Sequence, residues 1–541
     1  MKKYWPVLFI FVLAIFFRFF WLDKVPPSPS LDEVSIGWNT FSISKTGGDE
    51  YGNKFPLLLR AYDDWRPALY VYLVVPFVKL FGLNVLSVRL SSVILSVLTV
   101  VATYFLALAI FKKERFRNRI AFWSSLILAI SPWHVYLSRL GHEVNPQVAF
   151  TVFGLLFFFK FLNQNKKAFL IFISAIFFAL SFYTYQSQKV FGPLLLLSLG
   201  LIYFKELRAK WKTVLLAAGF GALLIVPIIT ASLSPQALLR FEGTSIFSQN
   251  SGLLQESANQ LIIDRQNNDY LMMILHNRRV IMLTKIAEAY ISHLWPSWLF
   301  FNSGMEAHKV PGLGLFYLWE LPLMILGLIF LFKHKPLKRT KWFLLSLIFL
   351  SPLSASVTTD FPHAMRLFNA VPGPQILTAL GIIWLAVFKL WRFLRWGLAG
   401  IIVSSCLLLF ANYFIVFPKT QSSSFQYSLN SAISYVLENE KNYDKVIFSN
   451  QGALFQSYMF FLFFSQYDPV QYQALGGTVS GGFAESHQIG KFSFISPKEL
   501  EEFSLSAENV LMIGDYSQFK NRNGQVFSSL GGEEEIIIFE K

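Results

Sequence analysis

The stretch SLDEVSIGW sets two carboxylates, Asp32 and Glu33, side by side shortly after the first apolar run of the chain. Ser30 and Glu33 have the spacing of a capping box, in which a hydroxyl and a carboxylate satisfy backbone N–H groups at a helix start. Glu33 is therefore read as a cap, as a chemical group, or as both. Asp32 falls in the first turn with its carboxylate free, where it can accept a proton. Further on, DDWRPALYVYL puts Arg66 ahead of an amphipathic segment, 68 to 82, that would lie along the bilayer. SRLGHE adds Arg139, His142 and Glu143. Arg139 and Glu143 are either a salt bridge or substrate contacts. His142 beside a glutamate gives two metal ligands, too few to define a site.

These groups have to be held by something, and the composition says what. The chain has 541 residues, 54% of them hydrophobic and only 15% charged, with a mean hydropathy of +0.47, outside the range of soluble domains. A bilayer core needs roughly 20 apolar residues per helix. Segments of about that character run near 4–22, 86–111, 120–138, 148–162, 168–185, 190–204, 213–231, 315–332, 342–357, 367–388 and 397–417. The fold class expected is mainly α, a polytopic helical membrane protein of about eleven spans. Arg18, at the far end of the first, either snorkels to the interface or faces a polar cavity.

Charge in the connections orients the bundle. KKERFRNR (112–119), NQNKK (163–167), KELRAKWK (205–212), KHKPLKRTK (333–341) and KLWRFLRW (389–396) are short and basic, as cytoplasmic loops are. The long loops 23–85 and 232–314 then lie outside, as does everything after Pro418. The expected division is a membrane domain, 1–417, and a small extracytoplasmic α/β domain, 418–541, in a chain of the cytoplasmic membrane with its N-terminus inside. That tail carries a net charge of −6 within a total of +15. The basic balance is thus orientation charge and contact with anionic membrane lipids, and makes no case for nucleic acid. Cys406 is the single cysteine, which excludes a disulfide framework.

In the tail, NSAISYVLENE and GALFQSYMFFLFF read as helical, and DKVIFSN, KFSFIS, NVLMIG and EIIIFE as strands. GGTVSGG (476–482) resembles a phosphate loop only in its glycines and reads as a turn. No internal repeat stands out, which weakens a transporter reading.

The order of the Asp-Glu pair, WRPALYVYL, LFGLNVLSVRLSSVILSVL, SPWHVYLSRLGHEVNPQVAF, SFYTYQSQKVFGPLLLL, SHLWPSWLFFNSGMEAHKVPGLGLFY and FPHAMRLFNAVPGPQILTALG resembles the GT-C glycosyltransferases that use polyprenyl-phosphate-linked sugars. Among these it is similar to bacterial relatives of protein O-mannosyltransferases and of the lipid A aminoarabinose transferase. The resemblance implies transfer of one sugar at the outer membrane face from a polyprenyl-phosphate donor to a protein, lipid or polysaccharide acceptor, by an inverting single displacement. It implies Asp32 as the base beside Glu33, and Arg66 as the phosphate ligand. Tyr185 and Lys189 stand where the family commonly has a tyrosine and an arginine, so Lys189 is a departure that keeps the charge and loses the planar fork. Arg366, with His363, returns a cation suited to the donor phosphate or to ordinary lipid head groups. His308, in the second long loop, is read as receiving the acceptor or as simply solvated. No metal is expected to be required, although His142 leaves room for a divalent ion. The competing reading is a transporter or lipid flippase; a third is a catalytically inert scaffold whose tail binds a partner.

Overall fold

The computed structural model describes residues 5–62, 64–164, 167–235, 237–238, 246, 252–302, 306, 308–388, 391–479, 482, 485–503 and 509–540. The chain divides into two compact units, residues 1–17, 95–137 and 144–409 in one, and 18–94, 138–143 and 410–541 in the other. The second unit takes in the first long loop together with the tail, where the sequence suggests a cut after 417.

The helices through the apolar part are α1 (Trp5–Phe19), α2 (Leu31–Thr46), α3 (Leu69–Phe81), α4 (Val85–Ile110), α5 (Arg117–Ile130), α6 (Pro132–Ser138), α7 (Val144–Asn163), α8 (Phe169–Phe182), α9 (Gln188–Ile202), α10 (Phe204–Arg208) and α11 (Trp211–Ser232). The second long loop contains α12 (Leu253–Gln266), α13 (Tyr270–Leu275) and α14 (Arg278–Leu294). Then come α15 (Glu320–Lys333), α16 (Lys338–Ser356), α17 (Ala364–Leu367), α18 (Gly373–Leu385) and α19 (Trp391–Phe410).

Each of the eleven expected spans meets a helix or a helix pair. Among the described residues, four helices have both the length and the apolarity to cross a membrane: 85–110, 144–163, 211–232 and 393–421. Two bent pairs, α5 with α6 at 58° and the segment 364–370 with α18 at 55°, would raise that to six. The breaks fall at Pro132 and Pro372, where proline cannot continue the preceding helix. The other matching helices are 14 to 19 residues long, so their apolar stretches meet the usual span length only with flanking turns. Close packing in the first unit uses glycine: a Cβ on Gly381 would lie 1.9 Å from the Leu323 carbonyl oxygen, and one on Gly327 2.0 Å from that of Leu377. Small residues of this kind let helix backbones approach within membrane bundles.

The second unit has a continuous core in which Val34, Trp38, Tyr70 and Val88 pack with Leu429, Phe448, Phe461 and Ile513. A hairpin of β1 (Leu58–Ala61) and β2 (Asp64–Pro67) precedes α3. In the tail, α20 (Tyr427–Asn439), α21 (Ser457–Phe464) and α22 (Pro469–Ala474) accompany a sheet of six strands. These are β3 (Lys445–Ser449), β4 (His487–Ile489), β5 (Phe492–Ile495), β6 (Val510–Asp515), β7 (Gln525–Ser528) and β8 (Glu534–Glu540). Their order is β4-β5-β3-β6-β8-β7, with β3 parallel to β5 and β6 and the other pairs antiparallel. The central strand is buried along Val446–Ser449, as parallel strands covered on both faces are.

Candidate active site

Helix α2 starts at the capping box read from the sequence: Ser30 Oγ accepts from the Glu33 backbone N–H, and Glu33 Oε2 accepts from that of Ser30 at 2.8 Å. The cap fixes the direction of the first turn and so places Asp32. Its Oδ1 accepts from Arg66 Nη2 at 2.7 Å, and its Oδ2 lies 3.5 Å from His142 Nε2. His142 Nδ1 is 3.6 Å from Glu143 Oε2, and Arg66 Nη1 is 3.9 Å from Glu143 Oε1. Asp32, Arg66, His142 and Glu143 thus form one cluster of two acids and two bases. Arg66 reaches it from the end of β2, where the backbone pairs with Leu59.

The electrostatics follow from this packing. Burial alone pushes the Asp32 carboxyl up, but Arg66 and His142 outweigh it and hold it well below the ordinary carboxylate range. Arg66 loses hydration, which pulls its pKa down, yet Asp32, Glu143 and Asp64 more than restore its charge. Burial likewise pulls His142 down, while Glu143 and Asp32 raise it above its usual value. The side chain of Asp32 keeps 39% of its surface accessible, against 5% for Arg66. The cluster is also incompletely bonded: Arg66 Nε and Nη1 and Glu143 Oε2 are buried without a hydrogen-bond partner. Buried charged donors left in this state are costly, and an anion with two or three oxygens would satisfy them.

Glu33 is occupied differently. Beyond the cap, its Oε1 accepts from Arg89 Nε at 2.7 Å and from the Gly141 N–H at 2.8 Å, and its Oε2 accepts from Arg89 Nη2 at 3.2 Å. Arg89 also donates to the carbonyls of Leu22, Pro26 and Ser28. Both side chains are essentially fully buried. Gly141 suits this spot because a Cβ there would meet Val88 at 2.6 Å and Glu33 at 3.2 Å. Arg139 donates to the carbonyls of Arg18, Trp21 and Val25 and stacks on Tyr413 and Phe414. The cation paired with Glu143 is Arg66, and Arg139 acts as a clasp on the loop before α2. Arg18 is itself fully buried. Arg89 escapes the sequence reading because it sits inside an apolar run; its charge within such a run is the signal that points to it.

A further carboxylate is buried nearby in sequence. Glu50 accepts from Asn39, Tyr458 and Thr478 side chains, and burial pushes its pKa up to about 7 despite those bonds. Thr478 belongs to GGTVSGG, where Gly476 and Gly477 adopt positive φ; residues 480 and 481 lie outside the described residues. The described part of this loop is a turn that holds Glu50.

The remaining predicted groups lie in the other unit. Tyr185, Lys189 and Arg366 line one cavity of about 360 Å³ with Ser187, Ile229 and Leu233, so two cations and apolar side chains share a single space. Arg366 donates to Thr358 Oγ1 and the Asp360 carbonyl. The His363 backbone N–H donates to His293 Nε2, and the His363 and His308 rings are 5.2 Å apart. Gln147, Gln188, Ser187 and Asn369 form a buried network of amides and a hydroxyl around the start of α9, the helix that carries Lys189. Among the described residues no three His, Cys, Asp or Glu side chains converge as metal ligands.

Residues 65–232 match the family model of dolichyl-phosphate-mannose-protein mannosyltransferases. No curated protein sequence matches the chain. The fold is similar to that of ArnT from Cupriavidus metallidurans bound to undecaprenyl phosphate, with a TM-score of 0.56 at 11% identity over 98% of this chain and 97% of that one. It is also similar to the oligosaccharyltransferase of Archaeoglobus fulgidus, with a TM-score of 0.51 at 12% identity over 95% of this chain and 70% of that one. A second structure of that enzyme, tethered to an acceptor peptide with an NVT sequon, aligns with a TM-score of 0.51 at 13% identity over the same shares.

Proposed function

We infer that this chain, whose fold is similar to that of ArnT and whose residues 65–232 match the protein mannosyltransferase family model, is a GT-C membrane glycosyltransferase that moves a sugar from a polyprenyl phosphate to an acceptor. The observation that carries this reading is the half-bonded cluster at Asp32. It combines an ionised carboxylate with an accessible face and a buried guanidinium with two N–H groups awaiting acceptors.

In the proposed reaction the acceptor hydroxyl or amine attacks the anomeric carbon from the side opposite the phosphate. The bond from that carbon to the phosphate oxygen breaks with its electron pair remaining on the lipid phosphate, and the new bond forms with inversion. Asp32 takes the acceptor proton as attack develops. Its low pKa makes it a weak base at rest. A donor phosphate that draws on Arg66 removes part of the field holding Asp32 down, so the base strengthens when the donor is in place. Arg66 stabilises charge on the departing phosphate. In this reading Lys189 and Arg366 contribute to lipid-phosphate recognition, Tyr185 lines the same space, and His308 and His363 serve the acceptor side. Glu33, Arg89 and Arg139 hold the frame. His142 and Glu143 set the charge of Asp32 and Arg66, and no metal is needed.

The orientation charge of the short loops supports an outer-face reaction. The acceptor is a hydroxyl or amine on protein, lipid or polysaccharide. The test is to incubate purified protein with a panel of polyprenyl-phosphate sugars and an envelope extract and to follow bare polyprenyl phosphate by mass spectrometry. Release with one sugar, dependent on extract, is expected; movement of intact donor across vesicles without release would instead mark a flippase.

A further inference from the structure

Helix α13, YLMMIL, has no buried residue: Tyr270, Leu271 and Ile274 are 74%, 65% and 64% exposed, and Leu275 is exposed as well. Its position is nonetheless fixed, by polar bonds instead of burial. Asp269 caps it by accepting from the Met272 N–H. His276, just after it, pairs through Nδ1 with Asp264 of α12 at 2.7 Å, and Ser257 Oγ donates to the His276 carbonyl at 2.7 Å. Asn277 then caps α14 by accepting from the Arg279 N–H. A frame of this kind holds an apolar tip outward. Ile262 and Ile263 of α12 and Leu283 of α14 extend the exposed apolar surface.

What lies beside it is indicated by two further features. Arg278 and Arg279 are exposed directly after the tip, while the acids nearest in sequence are engaged, Asp269 in the cap and Glu288 with Lys285 at 3.0 Å. Helix α14 packs on α16, with Tyr290 Oη donating to the Phe349 carbonyl at 2.9 Å, and α16 covers one of the spans expected from the sequence. At its far end α14 leads into an open, mostly apolar cavity of about 450 Å³ lined by Ile291, Trp295, Trp298 and Pro362 together with Glu288 and Ser292. Tryptophan beside apolar surface is typical of the membrane interface, and an apolar face flanked by arginines is the pattern of helices that lie in the head-group boundary.

We propose that α12–α14 form an interfacial wedge: Tyr270, Leu271, Ile274 and Leu275 enter the acyl region of the leaflet beside α16, and Arg278 and Arg279 bind its anionic phospholipid head groups. The wedge holds whether or not the chain transfers sugar. Cys406 is the single cysteine, so Cys406→Ser, or Cys406→Ala where serine lowers expression, gives a background for one nitroxide at Leu271→Cys in the full chain in nanodiscs. A label at Val470→Cys, 58% exposed in the tail, is the reference. Both labelled chains are used only if they melt with the parent. At 271, collisions with oxygen should exceed those with a water-soluble nickel chelate several-fold, the reverse of 470. Arg278→Gln with Arg279→Gln should make 271 shallower in phosphatidylglycerol discs and leave it unchanged in phosphatidylcholine. Equal chelate access at 271 and 470 would overturn the wedge, as would spin–spin broadening between labels at 271, which would assign the face to a second copy of the chain.

Discussion

Asp32→Asn separates the base from the frame that holds it. Asparagine has the same shape, and its side-chain oxygen still accepts from Arg66, whose N–H lies 2.7 Å from Asp32, so the fold persists. What disappears is the negative charge and the proton acceptor. Removing a positioned general base costs roughly 10²- to 10⁴-fold in rate, which corresponds to about 3–5 kcal/mol of barrier. The same change frees Arg66 from one of three nearby carboxylates and leaves Glu143 at 3.9 Å and Asp64, so lipid-phosphate binding should hold or tighten. The assay is single-turnover release of bare polyprenyl phosphate alongside direct binding of that lipid. Two results would refute the reasoning: a rate loss under about tenfold, or loss of binding together with turnover. Because Arg66 and His142 hold the Asp32 carboxyl below the usual range, the acid limb of kcat/KM should owe nothing to Asp32 above about pH 4.

Three other outcomes are expected. Glu50 has its pKa raised from 4.5 to about 7, so its contribution to stability is intact below pH 4.5 and is lost as pH rises through 7. Glu50→Gln should therefore match the parent in unfolding free energy near pH 4.5 and exceed it near pH 8, by on the order of 3 kcal/mol; a parallel loss at both would contradict the buried-acid account. Arg89→Met leaves the buried Glu33 carboxylate unpaired and should cost about 3–5 kcal/mol, seen as a lower Tm and lost turnover, with partial recovery in Arg89→Met/Glu33→Gln. Chelation with EDTA should leave turnover unchanged; a fall restored by added divalent ion would show that a metal takes part.

The legible parts of this chain were those governed by local rules. The Ser30–Glu33 cap follows from residue spacing, the helices from apolar runs, and most tail strands from β-branched and aromatic stretches. The short strands β4 and β7 carry too little pattern to stand out. Asp32 stands out just after the first apolar run and Arg66 just ahead of an amphipathic segment, but their roles as base and phosphate ligand rest on the resemblance to the glycosyltransferase family. Their partners could not be assigned, because pairing depends on tertiary placement. Glu143 meets Arg66 across a fold that brings β2 to the loop after α6, whereas Arg139, four residues away in sequence, faces carbonyls around α1. Arg89 and Glu50 were hidden for opposite reasons, one within a span-like run and one in a polar turn that the fold buries.

The central claim is that Arg66 receives the lipid phosphate beside Asp32. Native mass spectrometry of the full chain with bare polyprenyl phosphate tests it most directly. The account predicts a one-to-one complex with the parent and with Asp32→Asn, and its loss in Arg66→Gln under conditions where that variant, with its lowered Tm, is still folded by circular dichroism. Undiminished binding by Arg66→Gln would contradict it.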